Sequence, residues 1–263
     1  MLKNSGKVPS GILGQPEQLF LRQVVRSLVT GQGDLTIRPE LDWSKLNSFI
    51  LAYRLGPIFS SAMNGETMAG FLDPQFQQQY RKTWIDNQLI NKVAVKFFGL
   101  LESADLEAVG LRGLHLANFV YPDPALRPMA DVDILIRPTD RDRVMEVLAG
   151  RNHHPVRTLR SQLVYLIEGV TIEVHWSFLT TKRYRAEFEA GELLAAAETR
   201  FLPQGPVKVL AQEQQVIDLI AHGYIHHELN SFFQLIDLAD QRLYVAKERG
   251  RDQIEPVPLS RIG

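Results

Sequence analysis

Two aspartates separated by one residue are the feature of this sequence best suited to chemistry. Asp131 and Asp133 lie in the apolar run 131–136, which predicts a β-strand. Residues two apart on a strand point to the same face, so both carboxylates are directed at one place. Adjacent carboxylates repel each other, and a hard divalent cation such as Mg²⁺ relieves that repulsion. The pattern predicts a metal site, while a strand end with two solvated acids remains the alternative.

A second predicted strand offers a third acid. Two segments rich in Val, Ile, Leu and Tyr flank Glu168-Gly169, which predicts a hairpin. On its second strand Glu173 and His175 share one face. If this strand lies beside the aspartate strand, three acids converge as in a two-metal phosphoryl-transfer site, and His175 becomes a candidate contact for a phosphate or nucleotide. The alternative for Glu173 is an ion pair across the hairpin with an arginine such as Arg157 or Arg160, and the alternative for His175 is a supporting role behind the acids.

A glycine upstream of the aspartates is suited to binding phosphate. Gly113 follows a short predicted strand at 106–112 and precedes one or two predicted helical turns. A residue without a Cβ lets backbone amides approach a phosphate closely, and a helix N-terminus favours anions. Arg112 and Arg127 are candidates for charge-assisted contacts to the same phosphates. A simple turn would also account for the glycine.

Three segments of the chain resemble a known family. Residues 111–117, 121–138 and 173–176 are similar to the uncharacterised nucleotidyltransferase family of the DNA polymerase beta-like nucleotidyltransferase superfamily. Its members carry a Lys-Gly stretch, a Tyr-Pro-Asp-Pro-x-x-Arg-Pro-Met loop, an Asp-x-Asp strand and a later acid-x-His-Trp strand. The resemblance covers roughly residues 15–245.

The resemblance implies a nucleotidyltransferase core with a two-metal Mg²⁺ site and a nucleoside triphosphate as substrate. The sequence departs from the family and its superfamily in three ways. Arg112 replaces the usual Lys, Leu114 follows the glycine in place of Ser or Gly, and the gap from Gly113 to Asp131 is longer than in most of the superfamily. The predicted metal ligands and catalytic residues are Asp131, Asp133 and Glu173, and the predicted nucleotide-binding residues are Gly113, Arg112, Arg127 and His175.

The expected activity is Mg²⁺-dependent transfer of a nucleoside monophosphate from an NTP to an acceptor, with release of pyrophosphate. One alternative is a non-catalytic module that binds nucleotide or a partner protein, as an antitoxin does. Another is a metal-dependent phosphohydrolase, which would release inorganic phosphate.

Composition limits the acceptors and the cellular locations that fit this chemistry. The 263 residues include 29 Lys and Arg against 30 Asp and Glu, a net charge of −1, so we expect no general nucleic-acid binding and favour a small-molecule or protein acceptor. No apolar run reaches the length of a membrane span, and no signal-like run follows the N-terminus. The absence of cysteine excludes thiolate sites and fits a cytoplasmic protein.

The order of the predicted helices and strands around these residues indicates an α+β fold, with a small mixed β-sheet core flanked by N- and C-terminal helices. Helical periodicity begins at Pro16 and returns at 42–61 and 75–103, where one apolar stripe includes Trp84, Leu89, Val93 and Phe97. The predicted units are an N-terminal helical region 1–105, a nucleotidyltransferase-like core 106–180, a C-terminal helical region 181–250 and a flexible tail 251–263.

A histidine pair in the C-terminal region is a further candidate. His222 and His226 are four residues apart on a predicted helix, next to His227, and such a pair can bind zinc. We favour structural packing, or packing at the edge of a substrate site, because the sequence lacks the His-Glu-x-x-His arrangement.

Overall fold

The computed structural model describes residues 13–30, 35, 39–62, 73–178 and 189–227. The helices are α1 (Gln15–Thr30), α2 (Trp43–Ala52), α3 (Gly56–Ala62), α4 (Gln75–Glu102), the short α5 (Gly113–His115), α6 (Arg141–Ala149), α7 (Ala190–Ala195) and α8 (Gln212–His227). The strands are β1 (Ala108–Gly110), β2 (Asp131–Ile136), β3 (Arg157–Thr158), β4 (Gln162–Ile167), β5 (Val170–His175), β6 (Glu198–Leu202) and β7 (Gly205–Val209).

One mixed sheet of seven strands forms the centre of the described structure, in the order β3-β4-β5-β2-β1-β7-β6. Strands β2 and β5 are parallel, as are β1 and β7, and the other neighbours are antiparallel. The predicted hairpin around Glu168-Gly169 is present as β4 and β5. The α+β prediction, with a small mixed sheet and flanking helices, is confirmed.

One face of the sheet is the main hydrophobic core. Val132 and Ile134 of β2 and Ile172 and Val174 of β5 are each 0% exposed and cluster with apolar residues of α4 and α6. Burying a large aliphatic side chain contributes about 1.5–3 kcal/mol. These alternate residues therefore hold the two central strands in register and leave the intervening residues on the opposite face.

The N-terminal helices form a second cluster that supports the loop before β2. Phe20, Ile50 and Phe59 of α1–α3 pack with Phe76 at the start of α4. Tyr121 and Leu126, from the loop that leads to β2, are buried in the same cluster. The helical region thereby fixes the segment that delivers the aspartates.

Helix α4 has the predicted bounds to within one residue, but its buried stripe differs from the prediction. Val93 and Phe97 are buried, whereas Trp84 and Leu89 are 49% and 43% exposed. Asn87 lies on the buried side instead. Its amide donates to the carbonyl oxygens of Pro124 and Arg127 at 2.7 and 2.9 Å, and its side-chain oxygen accepts from the Met129 N–H at 3.1 Å.

The prediction of helices throughout 181–250 is wrong in one segment, where β6 and β7 form a hairpin. Alternate residues Val207 and Val209 point into the core, which is the period of a strand. Gly205 has φ +144°, a conformation that favours glycine, and a Cβ there would lie 2.7 Å from Val95 Cγ1. No helix in the described ranges is long and apolar enough to cross a membrane.

Candidate active site

The two central strands bring the predicted acids together. In the parallel register of β2 and β5, Asp131 lies opposite Thr171 and Asp133 lies opposite Glu173. Residues in register on neighbouring strands share a face, so these side chains and His175 lie on the side of the sheet opposite the α4 and α6 core. Val132 and Ile172, which alternate with them, keep that arrangement rigid.

A compact set of potential ligands forms around Asp133. His175 Nε2 donates to Asp133 Oδ1 at 2.9 Å and lies 3.7 Å from Glu173 Oε2. One ligand atom from each of Asp133, Glu173 and His175 lies within 4.8 Å of the others. Asp131 stands outside this set of three. Glu173 Oε2 also accepts from Gln162 Nε2 at 2.6 Å, so its partner across the hairpin is an amide and not the arginine of the alternative interpretation.

Arg112 is the counter-ion of this cluster. The Leu111 N–H donates to the backbone oxygen of Asp133 at 2.9 Å, which brings the next residue, Arg112, beside the Asp133 carboxylate. Arg112 Nε lies 3.1 Å from Asp133 Oδ2, and its Nη2 lies 2.7 Å from Oδ1. Its Nη1 donates to Asp218 Oδ1 of α8 at 3.2 Å. The guanidinium therefore bridges two carboxylates, and its side chain is only 11% exposed.

The backbone of Arg112 is strained. Its φ of 41° and ψ of −104° fall outside the regions that L-residues favour, at a cost of about 1–3 kcal/mol. The two carboxylate contacts are strong charge-assisted bonds that hold it there. The turn from β1 into α5 thus stores strain directly beside the acids.

Gly113 and Arg127 lie near each other on the same side of the site. A Cβ built on Gly113 would lie 3.6 Å from Met129 Cγ and 3.9 Å from Arg127 Nη1, which is ordinary contact. Arg127 Nη1 donates to the Pro128 carbonyl oxygen at 3.2 Å. The positive charge of Arg127 also opposes the rise in the pKa of Asp131, so this guanidinium is within electrostatic reach of the aspartates.

Burial and charge divide the behaviour of the two aspartates. Burial first, then the charges of Asp133 and Glu173, raise the pKa of Asp131 to about 6. Burial also acts to raise the pKa of Asp133, but the Arg112 guanidinium and the His175 hydrogen bond outweigh it and hold that pKa well below its ordinary value. Asp133 therefore stays ionised, whereas Asp131 is protonated more easily than an ordinary aspartate, as expected for closely spaced carboxylates.

One member of this cluster was missed in the sequence. Asp218 of α8 is 1% exposed, and burial raises its pKa although Arg112 opposes that rise. The only signal in the sequence is an acid within the apolar pattern of a predicted helix. His222 follows on the same helix, and the side chains of His226 and His227 lie outside the described residues, as does the predicted helical segment beyond 230.

Comparisons with known proteins were made for sequence and for structure. Among solved structures, ANT(2″)-Ia in complex with adenylyl-2″-tobramycin is 12% identical with a TM-score of 0.44, over 62% of this chain and 89% of its own. An antigenic nucleotidyltransferase-like protein from Paracoccidioides brasiliensis is 17% identical with a TM-score of 0.44, over 58% and 74%. The lincosamide antibiotic adenylyltransferase LnuA, lincomycin-bound, is 12% identical with a TM-score of 0.38, over 55% and 91%.

No curated protein matches the sequence. The family described as "Uncharacterised nucleotidyltransferase" matches residues 39–255, which is most of the chain and includes every residue of the cluster described above. Nucleotidyltransferases are transferases of phosphorus-containing groups. The protein is therefore a member of the uncharacterised nucleotidyltransferase family.

Proposed function

We propose that this chain is a divalent-metal-dependent nucleotidyltransferase that moves a nucleoside monophosphate from an NTP to an acceptor and releases pyrophosphate. The observation that carries the proposal is the register of the two central strands, in which Asp133 lies opposite Glu173 with Asp131 two residues before it. Three acids on one face, with the buried guanidinium of Arg112 among them and Arg127 nearby, leave an excess of negative charge that a cation would offset.

The donor set fits a hard divalent cation. Asp133 and Glu173 offer carboxylate oxygens, which Mg²⁺ prefers, within 4.8 Å of the His175 imidazole. Asp131 offers a further carboxylate two residues before Asp133 on the same strand. The raised pKa of Asp131 supports this, because a cation would stabilise the carboxylate that burial and the neighbouring acids disfavour. When bound, Mg²⁺ would supply charge neutralisation at the phosphate oxygens.

The nucleotide would bind beside the aspartates. Gly113 leaves room for close approach to the backbone at the start of α5, and Arg127 lies next to it with a charge that reaches Asp131. Arg112 and His175 complete the proposed set of phosphate contacts. In this role Arg112 would exchange one of its carboxylate partners for a phosphate oxygen.

The transfer itself would use groups of this chain for positioning and for one proton. An acceptor oxygen attacks the α-phosphorus, the bond from that phosphorus to the bridging oxygen breaks, and pyrophosphate leaves with the bonding electron pair. Glu173 would either hold a metal or take the proton of the acceptor, since it faces Asp133 and its Oε2 is oriented by Gln162. The near-neutral net charge favours a small molecule or a protein side chain as the acceptor.

The test is nucleotide transfer by the purified protein. The full chain is incubated with Mg²⁺, each α-labelled NTP in turn and a cell extract as the source of acceptor. Transfer of label and release of pyrophosphate are then measured. We expect transfer with at least one NTP and a loss of about 100-fold or more in Asp133→Asn, because each preorganised charge in such a site contributes on that scale.

The matched control is Asp142→Asn, which removes an acid from α6 whose side chain is 85% exposed. It should transfer label at the wild-type rate. Equal activity of Asp133→Asn and Asp142→Asn would contradict the metal site. NTP-dependent thermal stabilisation without transfer would favour the non-catalytic module, and release of inorganic phosphate would favour a phosphohydrolase.

A further inference from the structure

The guanidinium of Arg112 already occupies the carboxylate that the proposed metal needs. Both oxygens of Asp133 lie within 3.1 Å of Arg112 nitrogens, and Oδ1 also accepts from His175. A divalent cation on Asp133 would stand within a few ångströms of a buried positive charge, where repulsion is only weakly screened. Metal binding and the Arg112–Asp133 pair therefore compete.

Asp218 provides a second acceptor for the same guanidinium. Its Oδ1 accepts from Arg112 Nη1 at 3.2 Å, while its Oδ2 is buried and has no hydrogen-bond partner among the described residues. Gln215, one turn earlier on the same face of α8, is 0% exposed, and its side-chain oxygen is likewise unpartnered within the described ranges. Buried polar groups that lack a partner are costly, so the unpartnered oxygen of Asp218 can accept a further bond from Arg112.

We propose that Arg112 is a movable counter-ion, which bridges Asp133 and Asp218 in the metal-free protein and on metal binding withdraws from Asp133 to pair with Asp218 alone, so that Asp218 is a positioning residue that sets the affinity of the site for metal. The inference rests on the metal site of the proposed function. It deepens that function because it assigns a role to a residue from a different element, α8, which lies outside the three-acid set.

The exchange is favourable because Arg112 always keeps a carboxylate. A buried guanidinium that lost Asp133 without a replacement would be an unpaired charge in a desolvated site. With Asp218 in place, the fork of Arg112 can form a bidentate pair there, which a point charge such as lysine would not reproduce. Without Asp218, Arg112 has only Asp133 and opposes the metal more strongly.

The experiment measures Mn²⁺ affinity by electron paramagnetic resonance or calorimetry on the full chain, with no nucleotide present. The variants are Arg112→Gln, Asp218→Asn and the double variant. We expect Arg112→Gln to tighten binding about fivefold or more and Asp218→Asn to weaken it about tenfold, the scale on which groups next to metal ligands act. In the Arg112→Gln background, Asp218→Asn should change the affinity less than about twofold.

The double variant distinguishes this exchange from a simple charge effect. If Asp218→Asn weakens Mn²⁺ binding equally with and without Arg112, Asp218 acts through space and the proposal is wrong. Weaker or unchanged binding in Arg112→Gln also overturns it. If the wild-type chain binds no Mn²⁺, the metal site of the proposed function is wrong and the exchange is wrong with it. The variant results above overturn the exchange alone, so the two failures can be told apart.

A measurement on the wild-type side chain covers the case in which Arg112→Gln does not fold. The Nε–H resonance of Arg112 is identified by its absence in Arg112→Lys and followed during a titration with diamagnetic Mg²⁺. We expect this resonance to shift at saturation in the wild-type chain and to shift much less in Asp218→Asn. A resonance that stays fixed in the wild-type chain while Mg²⁺ binds would show that Arg112 remains on Asp133.

Discussion

The two faces of the β2–β5 pair differ in character, since one is apolar and buried and the other carries charged side chains. On one face Val132, Ile172 and their neighbours are fully buried against α4 and α6. On the other face Asp133 and Glu173 stand in register, next to a buried arginine. Apolar burial contributes to stability, whereas clustered carboxylates cost free energy unless they are compensated. The comparison teaches that alternate residues of one strand separate the stability of this fold from its proposed chemistry.

The separation is tested most strongly at Glu173. Replacement by Gln keeps the size of the side chain and its ability to bond Gln162, but removes the charge that faces Asp133. We expect nucleotide transfer to fall about 100-fold or more. The free energy of unfolding, measured by denaturant titration, should change by less than about 1 kcal/mol, because one of the charges that raise the pKa of Asp131 is also gone. A parallel loss of activity and stability would break the separation.

The neighbouring residue on the same strand should give the reverse result. Ile172→Ala removes a 0% exposed side chain from the apolar face and leaves a cavity. We expect the free energy of unfolding to fall by about 2–5 kcal/mol. At a temperature where the variant is still folded, the rate of transfer per folded molecule should match the wild-type rate. A large loss of that rate would mean that the two faces are coupled through the strand.

A buried histidine, His115, extends the comparison to the pH dependence of the free energy of unfolding. Burial first, and then the charge of Arg200, lower the pKa of His115 from 6.5 to about 4. Well above pH 6.5 the imidazole is neutral in both the folded and the unfolded chain, and His115 does not lower the free energy of unfolding. As the pH falls below 6.5 the unfolded chain binds the proton and the folded chain does not, so stability decreases until about pH 4, by about 3 kcal/mol in total.

The measurement compares the free energy of unfolding at pH 7.5 and pH 5 in the wild-type chain and in His115→Gln. About 2 kcal/mol of the wild-type loss should be absent in the variant, which cannot take up the proton. The exposed His154→Gln is the control and should keep the wild-type difference. An identical pH dependence in all three proteins would show that His115 is not the responsible group.

The placement of the acids was more readable from the sequence than the contacts that support them. The two-residue period of a strand predicted a shared face for Asp131 and Asp133, and hairpin chemistry predicted the strand of Glu173. Local pattern carries that information. It does not carry the pairing of Arg112 with Asp218, since those residues meet only when α8 docks beside β1 and β2.

The errors also have a common physical cause. The predicted apolar stripe of α4 included Trp84 and Leu89, which are exposed, whereas the polar Asn87 is fully buried. Asn87 is buried because it bonds three backbone groups of the loop before β2. The hairpin of β6 and β7 was missed because its outer strand is largely exposed and lacks an apolar alternation. In both places tertiary context, and not local periodicity, decides what is buried.

The smallest expected change in stability is at Gly113, where the comparison can be sharpened. Its Cβ would meet only ordinary contacts, so Gly113→Ala should leave the free energy of unfolding within about 0.5 kcal/mol. If the turn holds a phosphate against the backbone, the added methyl group should still raise the KM for NTP about tenfold, the loss of roughly 1.4 kcal/mol of binding. Gly150→Ala at the end of α6, where a Cβ also makes ordinary contacts, is the matched control and should change neither quantity. An unchanged KM in both variants would assign Gly113 to the turn alone and confine the functional face to the acids and arginines.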